Sequence, residues 1–142
     1  MPARMMRVGA RMNPSSLSHL LREPRPWRAM LTLLLIAISY MALSPAPPPV
    51  LDSGWDKLNH LLAFGALALC ADFACTRPRM RRTLAPLALL GYGVLIELLQ
   101  SQLPPRSADA RDVLADALGL ALGLALAAGL RMLLRAQPSA GR

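Results

Sequence analysis

Four apolar runs, separated by short proline-bearing breaks, dominate this sequence: Trp27 to Leu43, Leu58 to Cys75, Leu84 to Leu99 and Val113 to Leu134. Each is rich in Leu and Ala, shows no polar alternation and is far longer than an ordinary strand, so each predicts a helix. A bilayer core about 30 Å thick is crossed by roughly 20 helical residues, or about 17 when the ends are anchored. All four runs reach that length, the third narrowly. The breaks carry turn chemistry: Ser44-Pro45-Ala46-Pro47-Pro48-Pro49, Thr76-Arg77-Pro78-Arg79 and Leu103-Pro104-Pro105-Arg106. The expectation is an all-α, polytopic membrane bundle of four transmembrane helices over residues 27–135, with spans near 27–43, 58–75, 84–100 and 113–134. Residues 1–26 read as a basic, flexible arm and 136–142 as a short tail.

Composition agrees. The chain is 54% hydrophobic but only 4% aromatic, which leaves too little polar sequence to cover a soluble globule. Disorder requires a chain poor in apolar residues, so a basic disordered tail is excluded despite the net charge of +8. Cys70 and Cys75 lie on different faces of one helix, which excludes a disulfide framework and predicts free, buried thiols.

The basic residues are placed asymmetrically. Of the 16 Lys and Arg, six lie before or at the very start of the first run (Arg4, Arg7, Arg11, Arg22, Arg25, Arg28), four lie between the second and third (Arg77, Arg79, Arg81, Arg82) and three follow Leu130 (Arg131, Arg135, Arg142). The opposite side holds only Lys57, Arg106 and Arg111. The positive-inside rule then predicts a membrane protein with both termini in the cytoplasm, the two short loops outside, and Trp27 and Trp55 as interfacial anchors. The positive charge is thereby read as a topology signal, not a nucleic-acid-binding one, since the arm has no interleaved aromatics and no binding module. Reading Ala29 to Leu43 as a cleaved signal peptide is less consistent, because Pro45 directly follows the small-residue site Ala42-Leu43-Ser44.

This topology sends the acids to one end. Asp52, Asp56, Glu97, Asp109, Asp112 and Asp116 fall at the outer side with His60, leaving Glu23 and Asp72 at the inner side. Charge inside a span costs about 2.5–3.5 kcal/mol on insertion scales, which makes such residues functional candidates. Asp56, His60 and Phe64 share one helical face; Glu97 and Gln100 share another; Asp112, Asp116, Gly119 and Gly123 share a third. Three polar stripes at one depth predict a single outward pocket if they converge. Ala115, Gly119, Gly123 and Ala127 form a small-residue ridge that suits close helix packing, either within the bundle or in a homodimer. Blander roles exist for several of these. His60 suits the headgroup boundary, Asp56 a helix cap, and Asp112 the first turn of a helix. Glu97, within Leu95-Ile96-Glu97-Leu98-Leu99, must be protonated, paired or hydrated. Asp72 is expected to pair with Arg77 or Arg79.

The pattern Asp56-Lys57-x-x-His60-x-x-x-Phe64, then Glu97-x-x-Gln100, then Arg106-x-x-Asp109-x-x-Asp112-x-x-x-Asp116-x-x-Gly119-x-x-x-Gly123 resembles the VanZ-like family over about Trp55 to Leu126. The position aligned to Asp116 is usually Asn in that family. The resemblance implies a small multi-pass membrane protein, the namesake of which lowers susceptibility to the glycopeptide teicoplanin. It implies no settled reaction.

Three functions fit these residues. The favoured one is a non-catalytic envelope protein that binds a lipid-linked or cell-wall-related molecule, or a glycopeptide, among membrane lipids. Arg106 or Arg111 would hold an anionic group, and Asp56, Lys57, His60, Phe64, Glu97, Gln100, Asp109, Asp112 and Asp116 would line the site. The alternative is an intramembrane enzyme acting on a lipid phosphate, with Glu97 or Asp112 as base and His60 as acid or base. A small proton-coupled exporter is the third, weakened because the acids gather at one mouth. No cofactor is expected, and no metal either, because no HExxH or comparable ligand pair occurs.

Overall fold

The computed structural model describes residues 21–44, 56–103 and 109–136. Four helices form the bundle: α1 (Pro24–Leu43), α2 (Asp56–Ala74), α3 (Ala85–Gln100), which is preceded by a π-helical turn at Met80–Leu84, and α4 (Ala110–Ala136). There is no strand among the described residues. All four, with the π turn counted into the third, are long and apolar enough to cross a membrane.

Successive helices run antiparallel. At one end of the bundle the start of α2 meets the end of α3 and the start of α4: Lys57 reaches Asp109 and Asp112, and His60 reaches Glu97. The end of α1 joins them where Gln100 Nε2 donates to the Ala42 carbonyl at 3.1 Å. The opposite end gathers the start of α1 and the ends of α2 and α4, where Arg28 donates to the Ala74 carbonyl and Arg22 to the Leu134 carbonyl.

The tightest packing joins α2 to α4. A Cβ on Gly119 would lie under 3.0 Å from the Leu61 carbonyl oxygen, and one on Gly123 equally close to that of Gly65. Only glycine permits this approach, and Ala115 and Ala127 continue the buried ridge. The adjacent residues Leu114, Leu118, Leu122 and Leu126 are all exposed. An apolar stripe of that length turned outward is disfavoured in water and suited to acyl chains. The core proper is Phe64, Leu67, Ala68, Ala71, Leu89 and Leu120.

Helix α1 has no buried residue. It lies against α2 and α3, tied by Ser39 Oγ to Tyr92 Oη at 2.8 Å. The third span starts earlier than residue 84. Pro78 opens a helical turn, and proline is favoured at that first position. Pro86 then disrupts the regular ladder, which shifts locally so that the Ala85 amide bonds to the Met80 carbonyl.

Asp72 differs from expectation. Its carboxylate pairs with Arg131 of α4 and with Arg81 at 3.4 Å, not with Arg77 or Arg79. Trp27 stacks on Phe73 with ring centroids 4.7 Å apart, and the Arg131 guanidinium covers the same ring at 4.6 Å. Trp55 and the basic arm before Leu21 lie outside the described residues.

Candidate functional site

Three helices bring their polar residues to one place at the acidic end. His60 points from the second turn of α2 towards α4, where its Nδ1 shares a 2.8 Å hydrogen bond with Asp116 Oδ1. Its other ring nitrogen, Nε2, faces Glu97 Oε1 of α3 at 3.6 Å, within ion-pair reach and beyond a hydrogen bond. The imidazole thus stands between two carboxyl groups from two other helices.

Asp116 is fully buried. A carboxyl group in such surroundings costs several kcal/mol unless it is paired or protonated, and His60 supplies one partner. Its second oxygen, Oδ2, has no hydrogen bond among the described residues and lies against Gly93 of α3, where any Cβ would collide with it. Glu97, 5% exposed, accepts the Asp109 amide on Oε2 at 3.1 Å while Oε1 has no hydrogen-bond partner among the described residues. Two buried carboxyl oxygens therefore retain unused capacity beside one imidazole.

A second tier lies closer to the end of the bundle. Lys57 Nζ donates to Asp109 Oδ2 at 3.0 Å and to Asp112 Oδ1 at 3.2 Å. Asp112 is buried and Lys57 half exposed, so the ammonium compensates a desolvated carboxylate while staying hydrated. Asp109, which precedes α4, also accepts the Arg111 amide at 2.9 Å. That backbone hydrogen bond, followed by the Lys57 contact, holds the Asp109 carboxyl below its usual range.

Asp56, His60 and Asp112 each present one ligand-type atom, all within 4.8 Å of one another, and are the set that could face a cation. The Lys57 ammonium already sits on Asp112 and supplies positive charge there.

Beside this cluster a cavity of about 460 Å³ opens between α1, α2 and α3. Its walls are apolar, from Leu34, Ile38, Met41, Ala63, Phe64 and Ile96, and its polar residues are Asp56, Asn59, His60 and Gln100. His60 borders both the cavity and the carboxylate cluster.

Of the residues singled out from sequence, Lys57, His60, Glu97, Asp109, Asp112 and Asp116 meet directly. Asp56 joins them at the rim. Gln100 lines the cavity but spends its amide on α1, and Phe64 is packed in the core against Tyr92. Arg106 lies outside the described residues. Gly93 and Tyr92 were not anticipated. Gly93 leads Glu97 and Gln100 at i, i+4 and i+7, a helical stripe that a search for ionisable groups alone passes over.

A family model described as VanZ/LLP1 matches residues 11–134. The chain belongs to the VanZ-like family. Neither the curated proteins nor the solved structures yield a match.

Proposed function

Taking that membership as the premise, we propose that this VanZ-like membrane protein binds a lipid-linked, cell-wall-related molecule at the acidic end of its bundle. The observation that carries the reading is the junction at His60. A largely apolar cavity of about 460 Å³, walled in part by α1, meets the carboxyl cluster through His60, which lines the cavity and contacts both Glu97 and Asp116. Such a division suits an amphiphile, with its chain against Leu34, Ile38 and Met41 and its polar group at His60, Asp56 and Gln100. The His60 ring, which lines the cavity and faces Glu97 Oε1 at 3.6 Å, gives that group a polar partner.

The charge asymmetry supports an orientation in the bacterial inner membrane with the acidic end outward. In a cysteine-free background, cysteines at Ser53 and Ser107 are expected to label from outside and one at Thr76 not to; the reverse pattern refutes the orientation.

A second reading rests on the Asp116–His60 contact of 2.8 Å, since a carboxyl group that fixes an imidazole is the arrangement general acid–base catalysis uses. Here His60 would exchange a proton with a lipid phosphate. Incubating the purified protein with membrane lipid extract, followed by mass spectrometry, separates the two. A stoichiometric co-purifying lipid lost in Glu97→Gln supports binding, and time-dependent conversion lost in His60→Gln supports catalysis. Retention of no lipid and conversion of none refutes both. The same variants, expressed in a glycopeptide-sensitive bacterium, test whether the site bears on teicoplanin susceptibility.

A further inference from the structure

The opposite end of the bundle holds a separate cavity of about 320 Å³ that the outer site does not involve. Four arginines line it: Arg22 ahead of α1, Arg81 in the π turn, and Arg131 and Arg135 in the last turns of α4. Among the described residues they meet one carboxylate, Asp72, which pairs with Arg131 and Arg81. Arg135 makes no hydrogen bond or ion pair among the described residues. The positive charge therefore exceeds what the surrounding described residues neutralise.

The site is also held in shape. The Arg131 guanidinium is fixed by Asp72 Oδ2, by the Asp72 carbonyl at 2.6 Å and by the Phe73 ring beneath it, which Trp27 braces from α1. Arg22 is anchored on the Leu134 carbonyl at 2.7 Å. Each fork keeps further N–H donors, and fixed guanidinium forks match phosphate oxygens closely. Phe73, Pro24 and Leu134 supply apolar wall beside the charge, and Met132 and Leu133 stand exposed on the same turn of α4.

We propose that this arginine-lined cavity holds the phosphate group of an anionic phospholipid. A phosphate ringed by Arg22, Arg81, Arg131 and Arg135 would join elements from α1, the π turn and α4. The exposed Met132 and Leu133 give acyl chains a path along the bundle, which a free phosphate would not use. Basic pockets between transmembrane helices are suited to such head groups.

The test uses the full chain in detergent, titrated with short-chain phosphatidylglycerol, short-chain phosphatidylcholine or inorganic phosphate, with bound lipid counted by native mass spectrometry. Phosphatidylglycerol is expected to bind roughly tenfold more tightly than phosphatidylcholine, as charge-assisted hydrogen bonds predict. Arg135→Gln should weaken it by roughly tenfold, because Arg135 is exposed and bonded to nothing described, so its loss leaves the fold intact. Arg77→Gln removes the same charge from the same end without touching the cavity and should change binding by less than about twofold. Equal affinity for the two lipids, or equal weakening by the two substitutions, overturns the proposal. Displacement of the lipid by equimolar inorganic phosphate overturns the lipid as occupant.

Discussion

Alanine at Gly123 and alanine at Gly129 should have opposite effects on the stability of this bundle. Both glycines lie within α4, where replacing glycine by alanine gains about 0.5–1 kcal/mol of helix propensity. At Gly129 nothing stands within 4 Å of the new methyl group, so that gain is all that changes. At Gly123 the methyl group would come under 3.0 Å from the Gly65 carbonyl oxygen and the Ala68 Cβ. The obstacle is backbone, which cannot rotate away. Relief requires α4 to retreat from α2 by about 1 Å, and a gap of that size forfeits up to about half of each dispersion contact along the seam. Overpacking of this kind costs about 1–3 kcal/mol, and a carbonyl obstacle belongs at the upper end. Subtracting the propensity gain leaves a loss of about 2 kcal/mol for Gly123→Ala, against a gain approaching 1 kcal/mol for Gly129→Ala. The assay is the thermal midpoint of detergent-solubilised protein, followed by fluorescence-detected size exclusion. A Gly123→Ala protein as stable as Gly129→Ala would refute the close approach of α2 and α4, and with it the seating of Asp112 and Asp116 against Lys57 and His60. Gly119→Ala should behave like Gly123→Ala, and the double variant should cost less than their sum, since one retreat relieves both collisions.

Three more outcomes follow from the ionisable groups. Asp116→Asn should stay within about 1 kcal/mol of the parent in the same assay, because it keeps an acceptor for His60 and removes a buried carboxyl group, whereas Asp116→Leu strands the ring nitrogen and should cost about 1–3 kcal/mol. Arg131→Gln should lower the thermal midpoint clearly and Arg79→Gln should leave it unchanged; the reverse order would return Asp72 to a local partner. Asp109 has its carboxyl held below the ordinary 3.8, so the ionised form contributes stability above that value and the contribution fades as pH falls through the lowered one. Asp109→Asn should therefore be less stable than the parent at pH 7, and the difference should close in acid.

The four helices were legible because each apolar run is long and unbroken, and His60, Glu97 and Asp116 were legible as candidates because each shares a helical face with further polar or small residues. Spacing assigns a residue to a face but does not say which neighbour that face meets. Asp72 illustrates the gap: Arg77 and Arg79 are its near neighbours in sequence, yet Arg131, 59 residues away, takes the carboxylate because α2 and α4 lie side by side. Gln100 likewise had the register of a site residue but turns to α1, where it donates to the Ala42 carbonyl in the last turn. The arginine-lined cavity was hidden for another reason. In sequence, Arg22, Arg81, Arg131 and Arg135 belong to three scattered groups that read only as a topology signal, and it is the return of the helices to one end that places them around one cavity.

The contact between His60 and Asp116 also bears on how the protein is made. Helix α2 leaves the ribosome first, carrying Asp56, Lys57 and His60 without the carboxylates they will face. Helix α4 follows with Asp112 and Asp116, each costing about 2.5–3.5 kcal/mol if it entered lipid alone and ionised. The earlier helix offers the later one a docking seam of Leu61, Gly65 and Ala68, with an ammonium and an imidazole ready at its end. Chain order would thus let the acidic last span meet a helix that already carries its small-residue seam and its Lys57 and His60 partners, which offsets the cost of its two carboxyl groups.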